Sequence, residues 1–97
     1  MPSYVTLLRF TQAGIENVKD SPSRLERARK VAHECGLEFK AAYFTVGQYD
    51  LVIFGEAAND EAYAAALLAT TSAGNVRAET LRAFNEEEYR EIVAAIP

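Results

Sequence analysis

The sequence predicts an α+β fold: a four-stranded antiparallel sheet with helices on one face. Three observations lead there. Four runs rich in β-branched and aromatic residues, beginning at Tyr4, Leu37, Tyr49 and Val76, are interleaved with helical patterns. The middle two runs are separated by little more than Gly47-Gln48, the mark of a β-hairpin. The resulting order, β-α-β-β-α-β with a further helix at the end, is the split βαβ, or ferredoxin-like, arrangement. At 97 residues the chain has the length of one such domain, residues 1–97.

The first strand runs from Tyr4 to Phe10, free of Gly and Pro. Val5, Leu7 and Arg9 fall on one face, and Tyr4, Thr6, Leu8 and Phe10 on the other. Both faces are largely apolar, as in a strand covered on both sides. Thr11 to Asp20 is a connection with space for one helical turn, since Ile15 and Val18 stand three apart. Ser21 suits the N-cap and Pro22 the first helical position, so a helix is expected over Pro22–Cys35. Leu25, Ala28, Ala32 and Cys35 form its buried stripe, with Val31 beside it. Glu26 and Lys30 have the favourable i,i+4 order, and Gly36 stands where a left-handed closing residue is wanted. Strand two covers Leu37–Val46 and strand three Tyr49–Glu56. Asn59 caps an alanine-rich helix over Asp60–Ala73, with Asp60 and Glu61 at the positive end of its dipole. Strand four covers Val76–Phe84, with Val76, Ala78, Thr80, Arg82 and Phe84 on one face and Arg77, Glu79, Leu81 and Ala83 on the other. Asn85 and Glu88 have capping-box spacing and open a last helix striped by Tyr89, Ile92, Val93 and Ile96.

Neither face of strand four is fully polar. The sheet face away from the helices therefore needs a cover: a second copy of the chain, a ligand, or both. Composition narrows the partners. Ten Lys and Arg against 14 Asp and Glu leave a net charge of −4, which opposes binding to phosphate backbones. RNA-recognition modules share this element order, but they stack bases on a third strand with a basic residue and exposed aromatics. Here that strand reads Tyr49-Asp50-Leu51-Val52-Ile53-Phe54, so nucleic acid is not an expected partner. The longest apolar run, Ala62–Ala69, is far short of the roughly 20 residues that span a bilayer. Met1-Pro2-Ser3-Tyr4 has no basic region leading into an apolar core. A cytoplasmic protein without a membrane partner is expected.

His33 is alone in mid-helix and reads as a solvated side chain; a metal or haem site needs partners, and no His or Cys pair stands at ligand spacing. Cys35, the single cysteine, reads as a small core residue and can form no internal disulfide. No phosphate-binding glycine loop is present. No metal and no cofactor are expected, and no catalytic residue is assigned. Three polar clusters remain. In Asn17–Pro22, either Asp20 or Ser21 caps the helix, or Lys19 and the exposed N–H groups hold an anion. In Gly47-Gln48-Tyr49-Asp50, turn chemistry competes with ligand contact. In Asn75–Arg82, Arg77 and Glu79 share a strand face and suit a polar patch across a subunit interface.

The same runs carry a resemblance. Gly47-Gln48-Tyr49-Asp50 matches a G-x-Y-D signature, residues 17–24 match N-V-K-D-S-P-x-R, and residues 74–84 match G-N-V-R-x-E-T-L-R-A-F. On these three matches the chain resembles the GYD domain family from Tyr4 to about Ile92. The resemblance implies a dimeric α+β barrel, in which two ferredoxin-like subunits face their sheets together, and hence a homodimer or higher homo-oligomer. It implies no general activity and no catalytic residues. Relatives at the level of fold include small oxygenases, isomerases and the ligand-binding modules of Lrp-type regulators, the last with a similar Gly-x-Tyr-Asp hairpin.

The expected function is a small-molecule-binding or sensing module acting as a homo-oligomer. Its pocket is expected between the sheet and the first long helix or at the subunit interface, drawing on Lys19, Tyr43, Tyr49, Asp50 and Arg77. The alternative is a cofactor-independent enzyme on a small polar or aromatic anionic substrate. In it, Asp50 or a tyrosine acts as acid/base, and Arg77 or Lys19 holds the anionic group. A third reading is a structural subunit without a ligand.

Overall fold

In the computed structural model, which describes residues 1–97, the chain begins with β1 (Ser3–Phe10), α1 (Gln12–Glu16), a 3-10 turn (Val18–Asp20) and α2 (Ser21–Cys35). It continues through β2 (Leu37–Phe44), β3 (Leu51–Ala57), α3 (Asp60–Thr71), β4 (Val76–Ala83) and α4 (Glu86–Ala94). The strands form one antiparallel sheet in the order β2-β3-β1-β4. This is the ferredoxin-like order, with α2 and α3 packed beside each other in the helical layer.

Local chemistry accounts for most boundaries. Asn59 caps α3 by accepting the Ala62 N–H, and Asn85 with Glu88 closes a full capping box on α4. Gly36 ends α2 at φ 94°, a backbone that a Cβ would disfavour. Two boundaries differ from the sequence expectation. Ser21 is not the cap of α2 but its first helical residue, with Pro22 in the first turn and Asp20 in the cap position without a side-chain bond. The reason lies upstream: the 3-10 turn already holds Asp20 in helical backbone, and Arg24 reaches back to donate to the carbonyls of Asn17 at 2.7 Å and Gly14 at 3.1 Å. The hairpin is also looser than two residues. β2 ends at Phe44, β3 starts at Leu51, and residues 45–50 form a loop closed by Thr45 N–H donating to the Asp50 carbonyl at 2.8 Å. The expected Glu26–Lys30 pair gives way to Glu26 with Arg29 at 3.4 Å, while His33 is exposed and paired with Glu38.

The core is thin. Eleven of the 97 residues are buried, and no large side chain is fully enclosed. Tyr4, Ala32, Leu37, Ala57, Tyr63 and Ala66 make the packed cluster, with the Tyr4 and Tyr63 rings stacked 4.2 Å apart. Register places Tyr4, Thr6 and Leu8 beside Gly55, Ile53 and Leu51 on the helix-covered face. The opposite face carries Val5, Leu7, Val52, Phe54, Tyr43 and Leu81 and has no layer over it. α4 makes at most marginal contact with the rest of the chain, and Tyr89, Ile92, Val93 and Ile96 are all exposed. The radius of gyration, 14.6 Å, exceeds the about 13 Å usual at this length. As a single chain, the fold is a sheet with one side unfinished and a helix projecting from it.

Candidate functional site

Where a denser core would be expected, the sheet and the two long helices enclose a cavity of about 320 Å³. β1 contributes Thr6, Leu8 and Phe10, and β3 contributes Leu51 and Ile53. α2 supplies Leu25, Ala28 and Val31; α3 supplies Tyr63 and Leu67. The inner end is bounded by the buried side chains of Thr6, Leu37, Ile53 and Tyr63, and the outer end by exposed Arg27, Ala69 and Ala73. The mouth thus lies where α2 begins and α3 ends. The cause is local in sequence. Ala28, Ala69 and Ala73 line the space with methyl groups where longer side chains would fill it.

The polar groups at the inner end are paired with one another. The Tyr63 hydroxyl sits between the hydroxyls of Thr6, at 2.5 Å, and Thr80, at 2.6 Å. The Tyr4 hydroxyl donates to the Asp60 carboxylate at the start of α3. Burial first, and then that bond to an anion, push the Tyr4 hydroxyl up from 10.0 to about 12. At the mouth, Arg24 is engaged with backbone carbonyls, whereas the Arg27 guanidinium has no hydrogen-bonding or ionic partner in the chain. No Asp or Glu lines the cavity.

None of the five residues singled out in the sequence lines this space. Lys19 is exposed in the 3-10 turn ahead of α2. Asp50 serves the backbone: its carboxylate accepts the Phe10 N–H at 2.9 Å, and its own N–H donates to the Leu8 carbonyl at 2.8 Å. It thereby fixes the end of β1 and the position of Phe10, which does line the cavity. Tyr43 and Arg77 lie on the uncovered sheet face at its two opposite edges, on β2 and β4, and Tyr49 reaches that face from the hairpin loop. Tyr43 meets the edge of Phe54 at 6.3 Å. The Tyr49 hydroxyl donates to Glu79 at 2.5 Å, and Arg9 lies 4.8 Å over the Tyr49 ring. The bond to Glu79, more than burial, raises the Tyr49 hydroxyl above its usual value. Arg77 stands directly across from Arg9 in the β1–β4 register.

The uncovered face therefore has an apolar middle, an end where Arg9 and Arg77 stand beside Glu79, and an acidic end at Glu56. No group of three or more His, Cys, Asp or Glu residues is placed to hold a metal ion. No helix is long and apolar enough to cross a membrane. Most of the cavity residues escaped the sequence reading because they are ordinary apolar positions; Ala28, Ala69 and Ala73 in its lining stand singly and form no pattern that points to a cavity.

A family model described as the GYD domain matches residues 4–93. A curated relative from Thermus thermophilus, named glutamine synthetase and cystathionine beta-lyase binding protein, is 31% identical over 84 residues. That match covers 86% of this chain and 88% of the relative. Among solved structures, the feast or famine regulatory protein of M. tuberculosis, complexed with L-methionine, superposes with a TM-score of 0.67 at 20% identity. The leucine response regulatory protein of Mycobacterium tuberculosis does so at 0.64, also with 20% identity. These regulators share the fold with 88% and 87% of this chain, which spans about half of each of them (51%).

Proposed function

Because the chain belongs to the GYD domain family, we propose that it is a small-molecule-binding or sensing module that acts as a homo-oligomer. The observation that carries this reading is the cavity of about 320 Å³, which falls within the range of ligand pockets, roughly 300–1,000 Å³. Enclosed between α2, α3 and the sheet, it is placed so that an occupant touches both helices and both central strands. The relative's name describes a protein that binds two enzymes, and one regulator of the same fold holds methionine. Both support a module that couples a small molecule to a partner protein. The family has its place here as a regulatory or binding scaffold, without an assigned reaction.

The uncovered sheet face supports self-association. Phe54, Leu81 and Tyr43 are 42%, 49% and 59% exposed in the single chain, an apolar surface that monomers rarely leave open. Its charges suit a second copy. A two-fold pair with the sheets face to face and strand ends reversed would bring the arginine-bearing end of one sheet over the acidic end of the other. Tyr49, Glu79 and Arg77 then become interface residues.

Sedimentation at micromolar concentration tests the assembly, with a mass of at least two chains expected. Leu81→Asp loses the burial of the leucine's exposed half, about 1 kcal/mol per copy in a symmetric interface, and adds an unpaired carboxylate. The association constant should fall at least about a hundredfold, with the circular dichroism spectrum retained. A wild-type monomer, or an assembly unmoved by Leu81→Asp, would overturn the oligomer reading. Native mass spectrometry of freshly purified protein tests for a co-purified small molecule.

A further inference from the structure

The charge around the cavity specifies more than its size does. We infer that the cavity takes an apolar monocarboxylate, a hydrocarbon or aromatic body carrying one anionic head, and not a free amino acid. The inference rests on the ligand-binding reading above and names the ligand class for that same cavity.

The body is set by the lining. Leu8, Leu25, Leu37, Ile53, Leu67 and Phe39 surround the space. The hydroxyls at its inner end, Thr6 and Tyr63, already satisfy each other and Thr80, and the Thr70 hydroxyl donates to the Leu67 carbonyl. A polar group pushed to the inner end would exchange water for a site whose hydrogen bonds are already taken. The space holds about ten non-hydrogen atoms, counting roughly 30 Å³ for each water-sized group.

The head is set by the mouth. Ser21, Arg24 and Arg27 stand there in the first two turns of α2. Arg24 is held by two backbone carbonyls, but Arg27 has its fork of donors unused. A carboxylate has the single charge and the paired oxygens that one guanidinium matches. The Ser21 hydroxyl offers a further donor, and the positive end of the α2 dipole adds in the same direction. An ammonium group finds the reverse. No carboxylate lines the cavity, so a zwitterionic amino acid would bring a cation into a site with two arginines and no counter-charge. The methionine found with one fold neighbour is thus the wrong charge type for this cavity.

Isothermal titration with four probes separates the possibilities: sodium octanoate, octan-1-ol, octylamine and L-methionine. Octanoate should bind most tightly, and octylamine and methionine at least about tenfold more weakly. Arg27→Met keeps most of the aliphatic stem and removes the charge. It should weaken octanoate about tenfold and octan-1-ol, whose hydroxyl carries no charge, by about threefold or less. Ala28→Phe, which fills the space, should abolish both, and Val31→Phe serves the same purpose if the first variant does not fold. Octylamine or methionine binding as tightly as octanoate would overturn the inference, as would octanoate affinity insensitive to Arg27→Met or no octanoate binding at all. Methionine bound while octanoate is silent would sink the ligand class but leave the small-molecule reading standing. Silence of all four probes, with no small molecule in the native mass spectrum, would sink both.

Discussion

The approach of α1 to the start of β4 can be tested by a single methyl group. Gly14 is buried in α1, and a Cβ placed on it would lie 2.0 Å from the Asn75 carbonyl oxygen and 3.0 Å from its carbonyl carbon. Both contacts are backbone, so no side chain can rotate away. The two segments must separate by more than an ångström. Separation strains the Thr11 N–H bond to the Asn75 carbonyl, now 3.0 Å, and the Thr11 hydroxyl bond to the Gly74 carbonyl, now 2.5 Å. Overpacking of this kind costs about 1–3 kcal/mol, and one lost hydrogen bond adds about 1 kcal/mol. Against that, alanine is the better helix former by up to about 1 kcal/mol. The net expectation for Gly14→Ala is a loss of about 2 kcal/mol, or roughly 8–16 °C in melting temperature for a domain of this size. Equilibrium urea unfolding at one fixed protein concentration measures it. A loss below about 0.5 kcal/mol, or any gain, would refute the claimed backbone contact. Asn75 and Val76 line the cavity mouth, so the same variant should also weaken octanoate binding.

Two further outcomes follow from the hydroxyls beneath the helices. Tyr4 holds its proton up to about pH 12 in the folded chain, against 10.0 when unfolded. Its contribution to stability is therefore intact below about pH 10 and is lost as pH rises towards 12. Tyr4→Phe should flatten that part of the stability profile in urea titrations at alkaline pH, and an unchanged slope would contradict the assignment. Tyr63→Phe removes the hydroxyl bridging Thr6 and Thr80 and leaves both threonines short of a partner, Thr6 in a buried position. A loss of about 1–3 kcal/mol is expected in urea unfolding; a change under about 0.5 kcal/mol would mean that water replaces the bridge freely.

How much was legible in the sequence depended on the range of the interaction. Asn59, the Asn85–Glu88 capping box and Gly36 act within a few residues, and each stands where its spacing put it. The hairpin was harder. Its loop length depends on Asp50, whose carboxylate answers to the Phe10 N–H on another strand, a partner that no local pattern reveals. The start of α2 was displaced for a similar reason, since Arg24 ties it to carbonyls of the preceding segment. Of the five candidate site residues, Tyr43, Tyr49 and Arg77 share a face through register and the hairpin loop, but Tyr43 and Arg77 stand on opposite edge strands, a separation no local pattern reveals.

By itself, the sequence determined the order of elements, most of the caps, and which residues of the first and last strands share a face, because periodicity and capping are properties of neighbouring residues. Tertiary structure alone decided that Thr6, Leu25, Ile53 and Tyr63 surround an open volume and that Arg27 lines it while no carboxylate does. A cavity is the difference between the spacing of backbones and the volume of the side chains between them. Periodicity says which residues face inward; it does not say how far apart the layers stand.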